Sequence, residues 1–154
     1  MGQTTFSGPV RSERGFTAVG SNAVVNITIE TTLTYADHVG RIIEINDADG
    51  AVTLPTITDA TIGAKYTFFV GTDASDLDIK TDGTDKFVGS VSVAGTTTKA
   101  FAPGASNDVI SMNGSTTGGD AGSYVEATAL ATAEYLVQGV LVGSGSVSTP
   151  FADS

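Results

Sequence analysis

The feature that most constrains this chain is its punctuation. Short β-branched runs alternate with breaks built from Gly, Asp and Pro, about every 8–12 residues, which is the strand spacing of a sandwich or barrel. Residues 22–30, NAVVNITIE, put Val25, Ile27 and Ile29 on one face and Asn26, Thr28 and Glu30 on the other, the period of two expected of a half-buried strand. RIIEIN (41–46) and AVTLP (51–55) flank DADG, where Gly50 can take positive φ, and the pattern predicts a hairpin. AKYTFFV (64–70) is apolar almost throughout and predicts a central strand buried on both faces. LDIK, KFVGSVSV, TKAF and DVISM follow as short strands between Asp-Gly, Ala-Gly and Pro-Gly breaks. The one helix-like window, 125–137, is rich in Ala and Leu, but SYVEATAL and EYLVQGVLV read better as two strands joined near 131–133. NGSTTGGDAG (113–122) reads as a loop, and no internal repeat is evident.

A length of 154 residues sets one domain, able to bury roughly two-thirds of its unfolded surface. A hydrophobic content of 40% with only 16% charged residues separates it from acidic disordered chains. The expectation is an all-β protein. It is a single β-sandwich or jelly-roll-like domain, with a body at 21–143 between an extended N-terminal arm (1–20) and a C-terminal arm (144–154). The opening TTFSGPVRSERGF (4–16) holds Arg11 and Arg14, two of seven basic residues, and the close GSGSVSTPFADS repeats its style with Pro150 and Phe151.

Charge and residue inventory exclude several function classes. The net charge is -10, and residues 1–20 contribute +1 through Arg11, Arg14 and Glu13, leaving -11 for the remainder. Such a body repels nucleic acid, whose binding requires clustered Lys and Arg. There is no Cys, which removes disulfides and thiolate metal sites and agrees with assembly in a reducing compartment. No apolar run reaches 18 residues and the first residues lack a basic-then-apolar leader, so no membrane partner is expected.

Catalytic signals are equally sparse. The single imidazole, His38, adjoins Asp37, but no Ser sits in a G-x-S-x-G elbow, and a lone loop histidine is the reading. INDADG resembles the middle of an EF-hand loop, yet Ile45 and Thr56 fall where its first and last ligands belong, so a turn is expected there. DASDLDIKTDGTD (73–85) gathers five Asp. Asp76, Asp78, Asp82 and Asp85 could form a loose calcium site or a solvated acidic edge that discourages aggregation. The sequons at Asn26 and Asn113 are expected to be chance matches, and no Trp offers a sugar platform. No cofactor, and no enzyme, is expected.

Four stretches taken together carry a resemblance that spans nearly the whole chain. They are TFSGPVRSERGF (5–16), GRIIEINDADGAVTLP (40–55) leading to IGAKYTFFV (62–70), ISMNGSTTGG (110–119) followed by GSYVE (122–126), and YLVQGVLVGSGSVSTPF (135–151). The ensemble resembles small virion structural proteins of tailed bacteriophages, in particular head decoration (capsid cement) proteins. The resemblance implies a β-sandwich on the outer surface of the capsid, made in the bacterial host cytoplasm, often a homotrimer, that bridges and stabilises the major capsid protein. It also implies contacts through extended arms, here Phe6, Pro9, Val10, Arg11, Arg14 and Phe16, with Pro150 and Phe151 at the other end. Pro and Gly would keep such an arm from pairing as a strand in the body's own sheet. The GR-x-I-x-x-N, LP and G-x-x-Y-x-F pattern is also similar to β-domains of phage tail fibres, which leaves a second reading: an adhesin-type domain that binds a cell-surface glycan.

Overall fold

The structure is a computed structural model and describes Gly20 and residues 23–154. Two sheets pack face to face. One has seven strands in the order β1-β3-β5-β10-β11-β7-β8, and the other has five in the order β12-β9-β6-β4-β2. The strands are β1 (Val24–Ile27), β2 (Thr31–Thr32), β3 (Ile42–Ile45), β4 (Ala51–Thr53), β5 (Lys65–Val70) and β6 (Leu77–Lys80), then β7 (Lys86–Ala94), β8 (Thr98–Phe101), β9 (Val109–Met112), β10 (Tyr124–Ala131), β11 (Glu134–Val142) and β12 (Phe151–Ala152). A one-turn helix, α1 (Tyr35–His38), and a 3₁₀ turn at Asp59–Thr61 are the helical elements among the described residues. The protein is an all-β sandwich.

The first half is a coil. From β1 to β6 the chain alternates between the two sheets, and each strand lies parallel to the one two before it. Positions 24, 42 and 67 line up across β1, β3 and β5, so successive turns differ in length and leave no fixed period in the sequence. The second half is hairpin-like. β7–β8 and β10–β11 pair antiparallel, β10 adds to β5 and β9 to β6, and β11 then runs parallel to β7.

This arrangement corrects the hairpin expected at 41–55. Ile43 and Ile45 point into the core from the larger sheet, whereas Val52 and Leu54 enter it from the smaller one. The DADG turn therefore carries the chain around a corner between sheets. A turn of that composition reverses the chain equally well in either setting; the packing of the two apolar rows decides. Two further strand expectations change. β5 buries Tyr66, Phe68 and Val70 but leaves Phe69 at 39% exposure, so it is buried on one face rather than two. β1 ends at Ile27, and Ile29 is 71% exposed.

The Ala-rich window is two strands, as its turn signal required. Ala127 lies opposite Tyr66 on one side and Val137 on the other, and Ala129 lies opposite Tyr135. Small residues there leave room for the two tyrosine rings, which meet edge-to-face at 6.4 Å and 68°. Complementary volume, rather than strand propensity, accounts for these alanines. Gly89 serves a related need: its φ is +103° and a Cβ there would strike the Val137 carbonyl on β11.

The C-terminal segment departs from the expected arm. Phe151 pairs with Ile110 across β12 and β9 and is 7% exposed, within the core. Pro150 is buried, and its carbonyl accepts the Ser111 N–H at 2.8 Å. Val147 packs against the same core. An apolar ring with an open position at a sheet edge gains more by entering its own core than by waiting in water.

Candidate functional site

The acidic stretch resolves into structural bonds. Asp82 Oδ1 accepts from Thr84 N–H at 2.9 Å, Thr84 Oγ1 at 2.7 Å and Asp85 N–H at 3.2 Å, while its Oδ2 accepts from Thr56 Oγ1 at 2.5 Å. Partial burial pushes its pKa up, but these hydrogen bonds outweigh that and hold it at about 2. Asp85 is 2% exposed and accepts the Ile57 N–H at 2.9 Å. Burial raises its pKa, the Ile57 hydrogen bond opposes this, and the Asp82 charge adds to the rise. The two carboxylates tie the 81–85 loop to the segment after β4. Tyr135 completes the knot by donating to the Pro55 carbonyl at 2.6 Å.

Asp78 stands apart on β6, opposite Ala51 and Ser111, with a buried Oδ1 that has no hydrogen-bond partner. Asp76 is exposed just ahead of it. The four carboxylates considered for calcium are thus divided between a self-bonded loop and a sheet surface. No group of three or more His or acidic side chains among the described residues is arranged to hold a metal ion. His38 is spent locally: its Nδ1 accepts the Thr34 N–H at 2.9 Å, while Asp37 N–H caps back to the Thr34 hydroxyl at 3.3 Å.

Sequence reasoning missed a second anchor. Asp108, 2% exposed, accepts from Lys86 Nζ at 2.7 Å and from Ser154 N–H and Oγ at 2.8 and 3.1 Å. Burial alone would raise its pKa, but the Lys86 and Ser154 bonds bring it below the usual carboxylate value. Asp153 accepts from Asn107 Nδ2 at 2.8 Å and Ser106 Oγ at 3.0 Å. An Asp beginning a β-branched run gave no hint of this role, because its partners lie 22 and 46 residues away. Beside this anchor lies an open cleft of about 520 Å³ between the β10–β11 turn and residues 103–105. Its charged groups are Lys86, already paired with Asp108, and Glu134, so it offers no coupled acid, base and nucleophile.

The surface with the most recognition chemistry is the outer face of the seven-stranded sheet. Outward side chains of β1, β3, β5, β10 and β11 form two rows across it, one through Val24, Ile42, Thr67, Glu126 and Gln138, the other through Asn26, Glu44, Phe69, Tyr124 and Val140. Val24, Ile42, Phe69, Tyr124 and Val140 are each 39–47% exposed. Beside the apolar residues Glu126 accepts from Lys65 at 2.9 Å and from Gln138 Nε2 at 2.7 Å. Those bonds, the Lys65 contact foremost, lower its pKa. The Tyr124 hydroxyl reaches the same carboxylate at 3.3 Å, and burial together with that negative charge raises the phenol's pKa. The face is an apolar band from Val24 and Ile42 to Phe69, Tyr124 and Val140, with Asn26 and Glu44 at one corner and Glu126 and Gln138 at the other; an apolar middle with a polar rim is the anatomy of a docking surface.

No family model, curated protein or solved structure matches the chain.

The expected arm residues Phe6, Pro9, Val10, Arg11, Arg14 and Phe16 lie outside the described residues. Of the C-terminal pair, Pro150 and Phe151 are turned into the chain's own core. Period-two reading could have flagged the outer face, since Ile42, Phe69 and Val140 alternate with the core rows. Assigning those strands to a single sheet is what was missing.

Proposed function

We propose that this chain is a non-enzymatic virion structural protein of a tailed bacteriophage that decorates the outer surface of the capsid and stabilises it by bridging major capsid protein subunits, acting as a homotrimer. The observation that carries the reading is the outer sheet face, where five half-exposed apolar side chains form a band bordered on one side by the bonded Lys65–Glu126–Gln138 group. Stabilisation of a lattice needs interface area rather than a reaction centre, and contiguous apolar surface of this kind marks association sites. The net charge of -10 suits a protein placed outside a shell filled with DNA. The resemblance of the terminal and strand motifs to decoration proteins supplies the partner.

The test is binding of the purified protein to expanded, undecorated phage heads, followed by heating or osmotic shock. Saturable binding with raised head survival is the expected result. Heads that stay bare at micromolar protein overturn it. Copy number in purified virions separates the second reading, a tail-fibre or adhesin domain: hundreds of copies mean capsid, a few mean tail. The parallel coil of β1–β6 favours that second reading, because coils of this kind lengthen by stacking further turns.

A further inference from the structure

The two polar corners of the outer sheet face differ in one respect. At the first, Glu126 is closed by Lys65 and Gln138. At the other, Glu44 has no cationic partner among the described residues. It is one wall of a groove of about 350 Å³ that it shares with Val24, Ile42, Thr67, Phe69 and Tyr124. We propose that this groove takes a single arginine side chain presented on the surface of a partner protein, with the guanidinium paired to Glu44. The inference deepens the capsid-decoration role and rests on it for the partner, which is then the major capsid protein.

Three observations point to this occupant. The first is charge. Glu44 and Glu126 are the acids of the two outer rows, and Lys65 balances only the second. The band therefore keeps one negative charge, and that charge lies in the groove wall. A second copy of the chain would bring another acidic surface, since the whole carries -10, whereas a basic side chain is complementary.

The second is the order of the walls. Glu44, Phe69 and Tyr124 follow one another across β3, β5 and β10, at steps of about 4.8 Å, so a carboxylate is followed by two aromatic rings. Ile42 and Thr67 stand in the neighbouring row, with Val24 beside Ile42. Arginine matches each part: an aliphatic stem for Val24 and Ile42, and a planar guanidinium that stacks on rings and pairs with a carboxylate through two N–H groups. An aliphatic side chain would cover Glu44 and leave it unpaired, which costs free energy. The compact, strongly hydrated ammonium of lysine gains less from the rings. The third is placement and size. A Cβ on Gly71 would lie 3.2 Å from Glu44 Oε1, so the half-buried carboxylate lies against the sheet at the end of β5 and needs little ordering on binding. A volume of about 350 Å³ is at the small end of ligand sites and suits one long side chain.

The first measurement uses the full chain alone, so it does not depend on the capsid. Nα-acetylarginine methylamide is titrated into isotope-labelled protein at physiological ionic strength while amide NMR shifts are followed, with the matching lysine and norleucine derivatives as controls. Saturable shifts at Ile42, Thr67, Phe69 and Tyr124 are expected for the arginine probe, with a Kd on the order of 1 mM. Glu44→Gln should weaken its binding by at least about threefold. Phe69→Leu, which keeps apolar bulk and removes the ring, should weaken it by a similar factor. Shifts scattered over other acidic residues, a Kd unchanged by both substitutions, or equal binding of the lysine or norleucine probe overturns the proposal. The second measurement compares wild type and Glu44→Gln on expanded, undecorated heads, where the variant should need at least about threefold more protein for equal occupancy. Equal occupancy at every concentration overturns the proposal and leaves the capsid role standing. Heads that stay bare with the wild type refute the capsid role and the partner named here, whatever the probe shows.

Discussion

Replacing Tyr135 by Phe isolates one hydrogen bond. The ring is 1% exposed and packs edge-to-face on Tyr66, contacts that phenylalanine keeps. The hydroxyl donates to the Pro55 carbonyl at 2.6 Å, and burial pushes its pKa upward, so it remains a donor throughout the accessible pH range. No other donor reaches that carbonyl among the described residues. Its loss removes a net contribution of about 1 kcal/mol and leaves a poorly solvated acceptor, for an expected cost of about 1–3 kcal/mol. For a domain of this size each kcal/mol lowers Tm by about 2–4 °C, giving a fall of about 2–12 °C. Urea unfolding should show a lower midpoint at unchanged slope. Because Pro55 leads directly into Thr56 and Ile57, the donors to Asp82 and Asp85, a cycle with Asp85→Asn should be non-additive by at least about 0.5 kcal/mol. A Tyr135→Phe protein within about 0.3 kcal/mol of wild type, or additive with Asp85→Asn, would refute the idea that this knot joins the two loops.

Other substitutions test the rest of the fold. Phe151→Ala should cost about 3–5 kcal/mol, because the ring sits in the core and truncation leaves a cavity; a change under about 1 kcal/mol in thermal unfolding would return this segment to the status of an arm. Ala133 has φ +67° in the β10–β11 turn, so Ala133→Gly should stabilise by about 1 kcal/mol, raising Tm by a few degrees, and an unchanged or lower Tm contradicts that strain. Asp108, with its folded pKa depressed by Lys86 and Ser154, contributes stability that is present above the unfolded carboxylate value of about 4 and lost as pH falls below it. Asp108→Asn should therefore lower stability at neutral pH by about 1–3 kcal/mol and flatten the acid limb of a pH–stability curve; a variant with the wild-type limb excludes Asp108 as its source.

Strand existence was legible wherever side chains alternate cleanly. LDIK, DVISM and the pair SYVEATAL and EYLVQGVLV appear as β6, β9, β10 and β11. The Ala-rich window was readable because Ala131–Ala133 interrupts its pattern, even though the alanines are explained only by the tyrosines they face. The hairpin expected at 41–55 was not readable as a corner. The side-chain pattern of two successive strands is the same whether they pair with each other or face each other across a core.

The candidate site was legible only in its parts. Asp82 and Asp85 stood out by composition, but whether clustered carboxylates meet a cation or backbone N–H groups depends on segment 55–57 lying beside them. The apolar residues of the outer face each looked like core residues, and half of any strand's apolar positions normally are.

Local chemistry alone thus determined that the body is β-structured, where most strands lie, that it is acidic, and that it holds no thiol chemistry. These follow from side-chain period, turn composition and counting, which need no partner in space. Tertiary structure decided which sheet each strand joins, why β1, β3 and β5 run parallel, that Phe151 is core, and that Val24, Ile42, Phe69, Tyr124 and Val140 share one surface. Alternation tells a residue which side of its strand it occupies. It does not say which strand lies next to it, and that neighbour is chosen by the long-range packing of two apolar faces at the lowest cost in unmet polar groups.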